Sequence, residues 1–110
     1  MAGLKVATAK TNAKIGYLLA QQHRYEDAEN FYHTAVEYDP TNETHLYALA
    51  EVLLRAGKVD QSQHQCVQLL RMDQRNDKAT MLMSDVMLRL GETKSAIFHF
   101  KQVAKMEAIR

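Results

Sequence analysis

One spacing constrains this chain more than any other feature: short residue marks recur every 34 positions. Gly57 and Gly91 are one such pair. Gly16, Ala50 and Ser84 form a series, and so do Ala28, Ser62 and Ala96. Tyr32, Cys66 and Phe100 follow the same step, as do Leu19, Leu53 and Met87. A chain that repeats at this length folds as stacked copies of one supersecondary unit, because a single copy cannot bury its apolar face alone. In this register the repeats run over 9–42, 43–76 and 77–110. Residues 1–8 either extend the first helix or are the remnant of a preceding element.

The residue types explain the marks. Positions 16, 50 and 84 fall in the first helix of each repeat, and 28, 62 and 96 in the second. All six are Gly, Ala or Ser, which lets two helix backbones approach closely, where a Leu would force them apart. Tyr32 and Phe100 fill the space beside that contact, and Cys66 fills it less fully. Gly57 and Gly91 follow the first helices, where a left-handed residue ends a helix at little cost. His23 takes that place in the first repeat and departs from the pattern. Asp39-Pro40-Thr41-Asn42 stops one helix and offers capping oxygens to the next. Gln74 and Ala108 stand where Pro40 would recur.

Apolar stripes at helical spacing agree, for example Leu46, Leu49, Ala50 and Leu53, or Ala96, Phe100 and Val103. They predict six helices at about 11–22, 25–38, 43–56, 59–72, 77–90 and 93–107. The expected fold is all-α: three helix-turn-helix hairpins stacked in a right-handed superhelix, an alpha-alpha solenoid, with the first helices lining a concave face.

Composition narrows the function classes. Apolar residues make up 46% and charged residues 25%, the balance of a globular chain. No run nears the roughly 20 apolar residues that span a bilayer, so no membrane insertion is expected. The Met1-Ala2-Gly3-Leu4-Lys5 start lacks the apolar run of a secretory signal. A formal net charge of +1 gives no global pull toward nucleic acid. Glu51 and Asp85 on the expected groove argue against a basic RNA-binding stripe. The single cysteine, Cys66, excludes an internal disulfide framework and suits a reducing compartment.

The repeats resemble the tetratricopeptide repeat family over residues 9–110. A narrower resemblance lies in the second half. It comprises Cys66-Val67-Gln68-Leu69-Leu70, Asp73-Gln74-Arg75-Asn76, the run Ala79 to Met87, and Phe98-His99-Phe100-Lys101-Gln102. These look like the C-terminal part of the long tetratricopeptide subunit of intraflagellar transport complex A, the tetratricopeptide repeat protein 21 family. The methionine-rich helix ending in Asp85-Val86-Met87 carries most weight, since the repeat pattern does not demand it. The resemblance implies a scaffold piece of a retrograde transport machine, acting in the cytoplasm and at the cilium or flagellum and its base. Its partners would be proteins, among them other subunits of that complex. It implies no cofactor and no catalytic residue. The alternative is a cytosolic adaptor that captures a short peptide.

Candidate sites divide along the same line. The carboxylate clamp of chaperone adaptors uses five polar side chains, and the matching positions here hold Ala13, Tyr17, Ala48, Lys78 and Leu82. Only Lys78 keeps a donor of the expected kind, too few to offset a carboxylate's lost hydration. His23, His33, His45, His64 and His99 include no pair at the helical spacing a metal needs, so no metal site is expected. Cys66 sits at a core position, where thiols are inert. No phosphate loop, nucleophile elbow or paired-carboxylate motif appears, and no enzyme activity is expected.

Tyr17, Tyr47 and Met81 fall on the outward side of the first helices. They serve either a partner-binding face or packing within the array. Lys78 and the pairs Glu51/Arg55 and Asp85/Arg89 lie beside them. Each pair is spaced four apart, acid first, the order that favours a local ion pair. The last helix carries Ile97, Phe100, Ala104 and Ile109. With no capping helix after it, part of that stripe would face an absent repeat, so this end is expected to pair with something: by self-association, with an adjacent subunit or with the continuation of a longer chain.

Overall fold

A computed structural model describes the backbone of residues 2–109 and the side chains of 3–109. Met1 of the N-terminal extension and Arg110 of the third repeat lie outside the described residues. Six helices follow one another, with no strand among the described residues: α1 (Ala2–Gln21), α2 (Tyr25–Tyr38), α3 (Glu43–Arg55), α4 (Val59–Met72), α5 (Asp77–Arg89) and α6 (Thr93–Ile109). The expected start of the first helix near residue 11 is corrected to Ala2, so the extension continues α1. Nothing in Gly3-Leu4-Lys5-Val6-Ala7 breaks a helix, and Thr8 Oγ1 and Thr11 Oγ1 donate to the Leu4 and Ala7 carbonyls at 2.9 and 3.1 Å.

The hairpin turns share one backbone. His23, Gly57 and Gly91 all take a positive φ, of 61°, 84° and 80°. Arg24, Lys58 and Glu92 then donate their backbone N–H to the carbonyls of Leu19, Leu53 and Met87 at 3.0, 2.9 and 2.7 Å. This is the left-handed helix stop of the sequence pattern, and it closes equally in the first hairpin with a histidine. His23 Nδ1 lies 2.7 Å from Tyr25 Oη, which holds the departing ring in place. Between hairpins, Asn42 and Asn76 cap α3 and α5 by accepting from the N–H groups of His45 and Ala79 at 3.2 and 3.0 Å.

The six small positions, Gly16, Ala28, Ala50, Ser62, Ser84 and Ala96, are all buried. In the second hairpin the two backbones are close enough for Ser62 Oγ to donate to the Ala50 carbonyl at 2.7 Å. Apolar clusters continue from hairpin to hairpin. Ala28 and Tyr32 of α2 pack with Leu49, Val52 and Leu53 of α3. Ala50, Leu54 and Cys66 pack with Leu82, Met83 and Val86 of α5. Successive helices touch, and α1 also touches α3, as α3 touches α5. The second helices do not touch one another among the described residues. Contact on one side only bends the stack, and the first helices line its inner, concave face.

Candidate functional site

The concave face holds two adjoining pockets built from the same repeat positions. The first, about 310 Å³, is lined by Tyr17, Ala20 and Gln21 of α1 and Ala48, Glu51, Val52 and Arg55 of α3. His23, Tyr25 and Tyr32 close it on the side of α2. The second, about 420 Å³, is lined by Glu51, Leu54 and Arg55 of α3 and Leu82, Asp85, Leu88 and Arg89 of α5. Positions 17, 20 and 21 recur as 51, 54 and 55, and again as 85, 88 and 89. Glu51 and Arg55 belong to both pockets, which therefore form one groove. A third hollow joins it at the start of the array, lined by Lys10, Lys14, Tyr17, Tyr32, His45 and Ala48 among others.

Of the eight expected groove residues, Tyr17, Glu51, Arg55, Asp85 and Arg89 line this groove. Tyr47 is half-buried and packs against the Ala50 and Leu46 clusters, while its hydroxyl donates to Glu51 Oε2 at 3.4 Å. Met81 and Lys78 are exposed and line neither pocket. The local ion pairs do not form. Among the described residues neither Glu51–Arg55 nor Asp85–Arg89 closes to ion-pair distance. Arg89 Nη1 instead donates to the Leu54 carbonyl at 3.3 Å, capping the last turn of α3 from the neighbouring hairpin. Such a local pair contributes only a few tenths of a kcal/mol, so a backbone carbonyl in reach displaces it.

Electrostatically the groove centres on Glu51. Burial raises the Tyr32 phenol above its usual range, and the charges of Glu51 and Tyr17 add to this. Tyr47 is raised by burial, then by the charge of Glu51 and the hydrogen bond to it, with Asp85 and Cys66 adding. Both rings therefore remain neutral donors at physiological pH. Hydroxyls, two carboxylates and two guanidiniums thus line an apolar floor of Leu54, Leu82 and Leu88. That arrangement can hold an extended or helical protein segment of mixed charge. At the clamp positions Leu82 is buried and Ala13 and Ala48 carry no donor.

Sequence reasoning missed three features. Leu54, Leu82 and Leu88 were legible through the same step that relates Glu51 to Asp85. Glu29 is nearly buried on α2 and meets Lys58 of the next hairpin, with Nζ 2.8 Å from Oε1. His33 Nε2 lies 3.4 Å from the other carboxylate oxygen, a contact that is ionic only when the imidazole is protonated. His45 is also buried, and its Nε2 makes no hydrogen bond among the described residues. Neither feature recurs at the repeat spacing. Cys66 is fully buried as expected, and burial pushes its thiol up to about 12 despite a hydrogen bond with Ser62.

At the far end, Ile97, Ala104 and Ile109 are exposed. Phe100 is half-buried, at the position where Tyr32 and Cys66 enter the core and where the sequence pattern has it fill space beside the helix contact. Phe98, not singled out in the sequence, is the more exposed ring. No described helix is long and apolar enough to cross a membrane. No group of three or more metal-ligating side chains occurs among the described residues.

Comparison with known proteins bears on both fold and family. The family model described as tetratricopeptide repeat matches residues 19–84. Tetratricopeptide repeat protein 21A of Mus musculus is 32% identical over 79 residues, covering 72% of this chain and 6% of that protein. Tetratricopeptide repeat protein 21B of Xenopus laevis is 29% identical over 99 residues, covering 90% of this chain and 8% of that protein. The chain therefore spans less than a tenth of these relatives. Among solved structures, the first tetratricopeptide domain of Spaghetti (RPAP3), bound to an HSP90 peptide, superposes with a TM-score of 0.87. Its identity is 18%, over 96% of this chain and 83% of that one, a likeness of fold.

Proposed function

The chain belongs to the tetratricopeptide repeat family and is a protein–protein interaction module, and we propose that it is a scaffold segment of an intraflagellar transport complex A subunit. In this reading the partner is another subunit of that complex, and the place of action is the cytoplasm and the cilium or flagellum with its base. The observation that carries the interaction role is the groove itself. Tyr17, Glu51, Arg55, Asp85 and Arg89 come together at repeated positions over an apolar floor. Aromatic and arginine side chains around such a floor are the chemistry of protein recognition. The ciliary assignment is supported by the second-half resemblance and by the partial matches to the two tetratricopeptide repeat 21 proteins.

The experiment is site-specific photocrosslinking in ciliated cells. A photoreactive residue replaces Tyr17 or Asp85 in the groove, or Lys101 on the exposed outer side of α6 as a control. Adducts with complex A subunits from the groove positions, absent from the control, are the expected result. Groove adducts with unrelated cytosolic proteins alone would move the assignment to a peptide-capturing adaptor. Equal labelling from groove and control would remove the groove as the binding face.

A further inference from the structure

His45 is 6% exposed, and its Nε2 is the only buried side-chain nitrogen without a hydrogen-bond partner among the described residues. A buried polar atom left in that condition costs stability until something bonds it. His45 lines the third hollow, of about 450 Å³, with Thr44 of α3, Lys10, Lys14 and Tyr17 of α1, and Tyr32 of α2. The hollow lies at the joint between the first and second hairpins, so it does not depend on where the sequence begins. Thr44 and Lys78, which follow Lys10 at the repeat spacing, stay exposed although a hairpin stands before each of them.

The hollow is positive. Lys10 and Lys14 are exposed one helical turn apart, and neither closes an ion pair among the described residues. Like charges at that spacing repel, and an anion between them relieves the repulsion. No residue of the lining is an Asp or Glu. The acids nearby are engaged elsewhere. Asp39, whose charge reaches His45, accepts from Asn42 Nδ2 at 3.2 Å, and Glu43 accepts from Asn76 Nδ2 at 3.5 Å. α3 begins at Glu43, so the positive end of its dipole adds to the two ammoniums.

We propose that this hollow is a phosphoryl subsite of the groove, which seats a phosphorylated side chain of the bound protein segment. The proposal rests on the groove being the binding face, and it adds what the segment must carry. A phosphoryl group brings roughly −1.5 to −2 charges and three acceptor oxygens. The hollow sets against it two ammoniums, the imidazole of His45 and the polar groups of Thr44, Tyr17 and Tyr32. A carboxylate brings one charge and two oxygens, and would leave one lysine uncompensated. The donors are not those of the carboxylate clamp. Lys10, Lys14, Thr44 and His45 stand at none of its positions, Ala13 and Ala48 line the hollow without a donor, and Lys78 is outside the lining. Next along the groove come Glu51 and then Asp85, which repel a second anion. The phosphoryl group therefore fixes the direction in which the segment lies.

The test is an NMR titration of the isotopically labelled 110-residue chain at constant ionic strength held by chloride. Three probes are added in turn: phosphoserine blocked as its N-acetyl amide, glutamate blocked in the same way, and inorganic phosphate. Blocked phosphoserine should shift the His45 ring and the Lys10 and Lys14 signals saturably, with a dissociation constant on the order of millimolar. Blocked glutamate should bind about tenfold more weakly or worse. Lys10→Gln combined with Lys14→Gln should weaken phosphoserine binding about tenfold or more, while Arg89→Gln, in the groove but outside the hollow, should leave it unchanged. Both lysines are exposed and Gln is a good helix former, so the double variant should stay folded, which circular dichroism verifies. Glutamate binding as well as phosphoserine would make the hollow a carboxylate site and overturn the proposal. Binding of inorganic phosphate alone would make it a site for the free anion and overturn it too. So would the absence of a saturable shift at His45, or binding that survives loss of both lysines. The probes are too short to fill the groove, so failure here leaves the groove reading standing, and failure of the groove crosslinking leaves this titration unchanged.

Discussion

The ring of Tyr32 lies against Gly16 so closely that a Cβ on residue 16 would sit 3.1 Å from three of its ring carbons. In the second hairpin the same two positions hold Ala50 and Cys66, one side chain larger and the other smaller. The two pairs are alternative solutions to one packing problem. Gly16→Ala should therefore destabilise by about 1 kcal/mol despite the gain in helix propensity. Combined with Tyr32→Cys, it should show a favourable coupling of at least about 0.5 kcal/mol in a double-mutant cycle. Simple additivity in denaturant titration would show that the ring moves aside freely.

Ala96 is fully buried at the equivalent contact of the third hairpin. Ala96→Leu should cost about 1–3 kcal/mol through overpacking, read from the same titration. A neutral result would disprove the register.

Cys66 should react slowly with a thiol reagent in native buffer and fast in urea. Its thiol is raised from 9.0 to about 12, so the folded state holds a proton that the unfolded state releases between those values. Stability is then fully present below pH 9 and falls as pH rises toward 12, by up to about 1 kcal/mol per pH unit from this group. Cys66→Ala should flatten the alkaline limb of a stability-versus-pH curve. Native labelling at the rate of a free thiol would place Cys66 at the surface.

His45 behaves in the opposite direction. Burial lowers its pKa from 6.5, an effect to which Lys10 adds and which Asp39 opposes. The unfolded imidazole therefore takes up a proton before the folded one does. Stability is present above pH 6.5 and is lost as pH falls through the lowered folded value. His45→Gln should remove that part of the acid sensitivity in melting curves taken from pH 7 down to about 5. An unchanged pH slope in the variant would mean that the imidazole protonates equally well in the folded chain.

What the sequence made legible follows from what repeats. The small residues at 16, 50, 84, 28, 62 and 96 announce the helix contacts because every hairpin needs them, and the groove positions 17, 51 and 85 share that register. The features that stayed hidden occur once. Lys58 reaches back to Glu29, but the next step gives Glu92 and Gln63, and no pattern search joins the pair. The left-handed turn at His23 was obscured because residue identity there breaks the series while the hydrogen bonds around it do not. The expected Asp85–Arg89 pair failed because helical spacing describes one helix, and Arg89 found its acceptor on another.

Among the described residues, neither helix of the first hairpin touches α5 or α6, whereas α3 is held by α1, α2, α4 and α5. Backbone amides in α3 can exchange with solvent only after a flanking hairpin has opened, while those of α1 and α6 need no such prior event. Deuterium uptake should thus proceed inward from both ends, with the slowest protons around Leu49 and Leu53. A partner clasped across Glu51 and Asp85 would slow uptake in α5 along with α3, and the stiffness it imposed would reach the first hairpin only by way of the middle one.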